Sequence, residues 1–234
     1  MLMDLRRVKA VLFDIDDTLF DSTRLARMAR RNAVKAMMDA GLPLKNLQTG
    51  YKLLMSIVKQ YGPNYDHHFD RLVEELGSGR NPAVVAAGVV AYHNTKLEYL
   101  KPDPDVVPTL KALSEKSYKL GIVSNGRAVK QWEKIIRMGV QSYFQTVVIS
   151  EDVGCEKPDP KIYSVALAKL HVPPENAMYV GDDPASDILG ANRAGLISIE
   201  ILRKRSSAAV HEDEKPRFTI KRFSELLSIL GVNR

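Results

Sequence analysis

Cysteine is almost absent from this 234-residue chain, and the single one, Cys155, excludes an intramolecular disulfide and any zinc site built on several thiolates. With no histidine nearby to activate it, Cys155 reads as an incidental loop thiol. The five histidines do not cluster at metal-ligand spacing, since His67 and His68 are adjacent, not one helical turn apart. No apolar run approaches the roughly 20 residues of a membrane span, and the N-terminus lacks an apolar h-region followed by a cleavage site. These absences lead to the expectation of a cytoplasmic protein with no membrane partner. Internal repeats and low-complexity tracts are also missing.

The formal net charge is +6, but the basic residues are spread along the chain. The densest cluster, Arg203-Lys204-Arg205, is short and lacks interleaved aromatics, so it reads as a solvated loop, and no nucleic-acid partner is expected. A mildly positive field suits small anionic substrates. With 45% hydrophobic residues, the chain can bury one sizeable core, or a core domain plus a smaller one.

Residues 9–13 form a short apolar run like a parallel strand buried on both faces. Helical spacing follows in four segments. Leu25, Met28, Ala29 and Ala36 share the first stripe; Tyr51, Leu54, Met55 and Val58 the second; Phe69, Leu72, Val73 and Leu76 the third. The fourth begins at the Asn81-Pro82 pair, an N-cap with proline at the first helical position, and runs to about Leu100. About eighty residues without a strand signal read as a separate helical unit. Beyond Pro102, helices alternate with strands at 119–126, 146–150, 177–183 and 196–201, with a last strand and helix from Arg217. The helix after the strand at 119–126 carries Val129, Trp132 and Ile136, and Trp132 is expected in the core. The alternation predicts an α/β fold, a Rossmann-like open parallel sheet with helices on both faces, interrupted after its first strand by an all-helical insertion. The expected domains are 1–20 with 101–234, and 21–100.

In such sheets ligands bind beyond the carboxyl ends of the strands. Those ends carry Asp14 and Asp16, then Ser124 and Asn125, then Asp182, Asp183 and Asp187, with Lys157 in the loop after the strand at 146–150. Two carboxylates about 4 Å apart repel by roughly 4 kcal/mol at an effective dielectric of 20, so a counter-charge is needed. Several carboxylates without thiolates or clustered imidazoles suit a hard cation, Mg²⁺ above Ca²⁺.

These residues resemble the motifs of the haloacid dehalogenase-like superfamily of aspartate-nucleophile phosphatases. Its DxDx[TV] motif stands here as Asp14-Ile15-Asp16-Asp17-Thr18, and its strand-end Ser or Thr as Ser124. Its lysine matches Lys157 in "EKPDP", and its GDxxxxD matches Gly181-Asp182 through Asp187. Asp17 departs from the glycine often found there. The resemblance implies an Mg²⁺-dependent phosphatase acting on a small phosphomonoester through an aspartyl-phosphate. Asp14 would be the nucleophile and Asp16 the acid and base. Ser124, Asn125 and Lys157 would hold the phosphoryl group. Asp14, the Asp16 carbonyl and Asp182 would hold the metal, with Asp187 supporting directly or through water. The helical insertion would be a cap that sets substrate choice, with His67, His68, Tyr92, His93 and Lys96 as candidates beside the plainer reading of an amphipathic surface.

Taken alone, Asp17 reads as a turn or cap residue, and Asp183 as an N-cap before Pro184 in preference to a metal ligand, which leaves open whether Asp183 or Asp187 stands beside Asp182 on the metal. A 2-haloacid dehalogenase on the same fold typically carries tyrosine where Asp16 stands, and carbon–halogen cleavage gives a proton donor no task. A phosphomutase, in which a hydroxyl replaces water as acceptor, and a non-enzymatic binding module are the other readings of this scaffold. The sequence leaves the oligomeric state open.

Overall fold

The structure is a computed structural model that describes residues 5–77, 79–203 and 211–232. The chain forms two compact units, Met1–Asp21 with Lys101–Arg234, and Ser22–Leu100.

The first unit is built on a parallel sheet of six strands. They are β1 (Ala10–Phe13), β2 (Lys119–Ser124), β3 (Thr146–Ile149), β4 (Ala177–Gly181), β5 (Ile197–Ile201) and β6 (Phe218–Ile220). Every residue of β1 is wholly buried, as a central parallel strand covered on both faces requires. The order β3-β2-β1-β4-β5-β6 reverses its direction of growth between β1 and β4. That reversal opens a crevice beyond the carboxyl ends of these two strands. Phe13 pairs in register with Ile122 on one side and Val180 on the other, so the residues just past all three strands come together. Leu12, Val123, Tyr163, Leu167 and Tyr179 belong to the core that seats the sheet.

The second unit contains α1 (Ser22–Asp39), α2 (Leu47–Tyr61), α3 (His68–Glu75) and α4 (Pro82–Tyr99). Val34, Met37, Leu54, Leu72 and Val84 form its own core. Asn81 starts α4 by accepting a hydrogen bond from the Val84 amide at 3.3 Å, with Pro82 at the position where a missing N–H is harmless. Of the candidate selectivity residues, His68 donates Nε2 to the Gly62 carbonyl at 2.9 Å, and Lys96 lies over the Tyr92 ring at 5.6 Å. His67 and His93 are exposed.

The remaining helices belong to the first unit: α5 (Val106–Glu115), α6 (Ala128–Arg137), α7 (Ser150–Val153), α8 (Pro160–Leu170), α9 (Leu189–Arg193) and α10 (Glu225–Ile229). Two expectations are corrected here. The Val129, Trp132 and Ile136 stripe of α6 faces outward, at 80%, 39% and 58% exposure, while Gln131 and Ile135 are buried. The helix is rolled so that the Gln131 amide reaches oxygen atoms at the strand ends, which outweighs burying the indole. Arg203 is not a solvated loop residue. Its guanidinium donates to the Asp17 and Thr18 carbonyls, at 2.8 and 2.5 Å, and pairs with Asp103. Lys204 and Arg205 lie outside the described residues. Among the described residues, no helix is long and apolar enough to cross a membrane.

Candidate active site

Asp14 follows β1 directly, and its amide donates to the Val180 carbonyl at 2.9 Å, so the strand ladder fixes where its carboxylate stands. Ser124 Oγ, at the end of β2, donates to Asp14 Oδ1 at 2.9 Å, and Lys157 Nζ reaches the same oxygen at 2.6 Å. Both donors fall on Oδ1. Among the described residues none reaches Oδ2, which therefore keeps its lone pairs.

Lys157 is the electrostatic centre of the cluster, with a side chain only 3% exposed. Its ammonium also meets Asp187 Oδ1 at 2.6 Å and the Tyr179 hydroxyl at 3.0 Å. Burial works against the ammonium, but the charges of Asp14 and Asp187 prevail and hold it protonated well above the usual lysine range. Asn125 braces the lysine: its Oδ1 accepts from the Lys157 amide at 2.8 Å and its Nδ2 donates to the Lys157 carbonyl at 3.1 Å. The Asn125 side chain is thus engaged at both ends, which leaves its backbone amide as what it can offer a phosphoryl oxygen.

Asp187 is a supporting residue by geometry. Its Oδ1 receives Lys157 and the Tyr179 hydroxyl at 2.9 Å, and its Oδ2 receives the Asp182 and Asp183 amides, both at 3.1 Å. Gly181 has no side chain because a Cβ there would fall on the Asp187 carboxyl. Asp183 caps the turn Pro184–Ile188, accepting from the Ala185 amide at 2.9 Å. Asp17 has a φ of 54°, the left-handed conformation that glycine adopts freely and aspartate tolerates.

The cluster carries more negative charge than Lys157 balances. Burial, with the charges of Asp187 and Asp16, pushes the Asp14 carboxyl up to about 6 against the pull of Lys157. Burial and four neighbouring carboxylates push Asp182 up to about 8. Among the described residues no lysine or arginine pairs with Asp182. Oxygen atoms of Asp14, Asp182 and Asp187 lie within 4.8 Å of one another, an all-oxygen donor set that fits a hard divalent cation.

Sequence reasoning missed four residues. Tyr179 looks like an apolar strand position, yet its hydroxyl joins the Lys157–Asp187 bridge. Arg203 holds the carbonyls that follow Asp16. From α6, Lys134 Nζ pairs with Asp16 Oδ2 at 2.5 Å, and Gln131 Nε2 lies 3.3 Å from the same oxygen. Gln131 had only the weak signal of a polar residue two helical turns past Ser124, and Tyr179, Lys134 and Arg203 had no local signal of their roles.

A doubly wound α/β unit with a lysine-bridged aspartate cluster at its topological switch point defines the class of protein. A family model for haloacid dehalogenase-like hydrolases matches residues 11–201, and the chain belongs to that family. It is 50% identical to a glyceraldehyde 3-phosphate phosphatase of Methanopyrus kandleri over 95% of this chain and 97% of that protein. It is 46% identical to a protein of the same name from Pyrococcus abyssi, over 82% and 80% of the two. Among solved structures, a HAD phosphatase from Thermococcus onnurineus aligns with a TM-score of 0.69 at 27% identity, covering 97% of this chain and all of the other.

Proposed function

We propose that this protein is a phosphatase that hydrolyses glyceraldehyde 3-phosphate, or a close small phosphomonoester, through an aspartyl-phosphate on Asp14. The observation that carries the mechanism is the asymmetry of Asp14: Ser124 and Lys157 hold Oδ1, and Oδ2 remains for in-line attack on phosphorus. The substrate rests on 50% identity, over nearly the full length of both chains, to a protein named for that activity.

Oδ2 of Asp14 forms the bond to phosphorus as the bond to the leaving oxygen breaks, and Asp16 gives that oxygen its proton. Asp16 then takes a proton from the water that attacks the aspartyl-phosphate, releasing inorganic phosphate and restoring Asp14. The Lys157 ammonium, the Ser124 hydroxyl and the backbone amide of Asn125 stabilise charge on the transferring oxygens. Asp14, the Asp16 carbonyl and Asp182 would hold Mg²⁺, with Asp187 fixing the Asp182 backbone. When bound, the ion supplies positive charge between nucleophile and phosphate. The helical unit is assigned the substrate-selecting role, with His67 and His93 as exposed candidates.

Asp16 argues against dehalogenation, because breaking a carbon–halogen bond leaves a halide that needs no proton. The test is phosphate release from glyceraldehyde 3-phosphate beside a panel of phosphomonoesters, with and without chelator. Expected are release restored by Mg²⁺ after chelation, and no phosphoenzyme from Asp14→Asn. Full activity after exhaustive chelation refutes the metal assignment, and a phosphoenzyme in the Asn variant refutes the nucleophile.

A further inference from the structure

One face of α6 carries two polar side chains, three residues apart, into the strand ends. Gln131 is 3% exposed, and its Nε2 lies 2.6 Å from the Asn125 carbonyl, 3.0 Å from Ser124 Oγ and 3.3 Å from Asp16 Oδ2. Ser124 gives its own hydrogen to Asp14, so all three neighbours are acceptors there. The amide orientation is thereby set. Lys134, one turn on, places Nζ 2.5 Å from Asp16 Oδ2.

Two features argue that this face is kept for the reaction and not for the fold. Gln131 Oε1 is buried with no hydrogen-bond partner, a defect that an apolar residue of similar size would remove. Three of the large apolar side chains of α6, Val129, Trp132 and Ile136, are left outside while Gln131 is buried beside Ile135. A helix placed for stability alone has no use for a buried glutamine at the centre of its inward face.

Both donors also meet the same oxygen of Asp16. Among the described residues, none reaches Oδ1. We propose that Lys134 and Gln131 are positioning residues for both proton transfers: they anchor Oδ2 of Asp16 on α6 and present Oδ1 to the site. In the first transfer Oδ1 carries the proton and yields it to the leaving oxygen as the P–O bond breaks. In the second the same oxygen takes a proton from the attacking water as the Asp14–phosphate bond breaks. Lys134 takes no part in either transfer beyond holding Oδ2. Gln131 also ties this anchor to Ser124, so the proton-transfer group and the phosphoryl-binding hydroxyl share one support. The inference rests on the reading of Asp16 as acid and base.

The test compares Lys134→Met, Lys134→Arg, Gln131→Leu and Asp16→Asn, with Lys134→Met also made in the Asp16→Asn background. An alkyl phosphate such as glyceraldehyde 3-phosphate requires the proton, and an aryl phosphate departs with little help. Lys134→Met and Gln131→Leu are expected to lower kcat on the alkyl ester about 10–100-fold, the scale of a misplaced reacting group, with KM changed less than about twofold. On the aryl ester the same variants are expected to show a product burst, because breakdown of the phosphoenzyme still needs Oδ1. Lys134→Arg is expected to recover part of the alkyl rate, and Lys134→Met is expected to cost nothing further once Asp16 is Asn. Equal losses on both esters without a burst, unchanged rates, or additive losses in the double variant overturn the positioning role. Wild-type turnover by Asp16→Asn itself instead overturns the acid–base reading on which it rests, so the two failures are distinct.

Discussion

Replacing Asp182 by asparagine tests the site without any substrate, because the ionisation of this carboxyl is linked to the stability of the metal-free protein. The carboxyl rises from 3.8 to about 8, first through burial and then through the charges of Asp187, Asp14, Asp17 and Asp183. A carboxyl raised in the folded state holds its proton more tightly there than in the unfolded chain. Its stabilising contribution is therefore complete below the unfolded value of 3.8 and is lost as pH climbs toward about 8. At about 1.4 kcal/mol per unit, the interval from about pH 5 to about pH 9 has a ceiling of about 4 kcal/mol. Relaxation and water entry bring the expected loss to roughly 1–3 kcal/mol. Asparagine keeps the shape and carries no charge. In chelator, the advantage of Asp182→Asn in melting temperature should be smallest at low pH and roughly 3–10 °C larger near pH 9 than near pH 5. Added Mg²⁺ should raise the wild type near pH 9 and the variant much less, since binding to the folded state alone stabilises it. Thermal melts across pH, with and without chelator, measure both effects. Parallel curves across the whole range would refute the crowded, unpaired carboxylate and with it the argument for a cation there.

Asp16→Asn should turn over an alkyl phosphate roughly 10²–10⁴-fold more slowly, yet accumulate phosphoenzyme with an aryl phosphate, read as a product burst in stopped flow. Lys157→Met leaves Asp14 and Asp187 buried without their shared cation, so denaturant unfolding should show a loss of about 3–5 kcal/mol near neutral pH. Changes at His67 or His93 should shift activity among natural phosphomonoesters more than activity on a small generic one, because remote contacts supply binding energy that a small substrate cannot use. Chloride release from 2-chloropropionate should be undetectable by ion chromatography under conditions that hydrolyse an aryl phosphate.

Much of the site was legible because each motif residue sits where an apolar run breaks into charge. Asp14 and Asp16 after β1, Ser124 at the end of β2 and Asp182 after β4 are separated in sequence, but the parallel register makes their strand ends neighbours. Strand and helix alternation suffices to predict that convergence. The Asn81-Pro82 start of α4 was equally legible, since capping is a local hydrogen bond between residues three apart. Periodicity, by contrast, identifies a stripe on a helix without saying which side the sheet will take. On α6 the spacing of Trp132 points to the core, and the tertiary structure decides otherwise by giving Gln131 three oxygen partners. Tyr179 was invisible as a site residue because an aromatic ring in a buried strand looks like packing until its hydroxyl is seen against Lys157 and Asp187. The partners of Lys134 and Arg203 lie 118 and 186 positions away, beyond any local spacing rule. The sequence by itself determined which residues can ionise, donate and cap. Only the folded chain decided which of them share one low-dielectric cluster, because that depends on backbone register and helix roll set by the whole core.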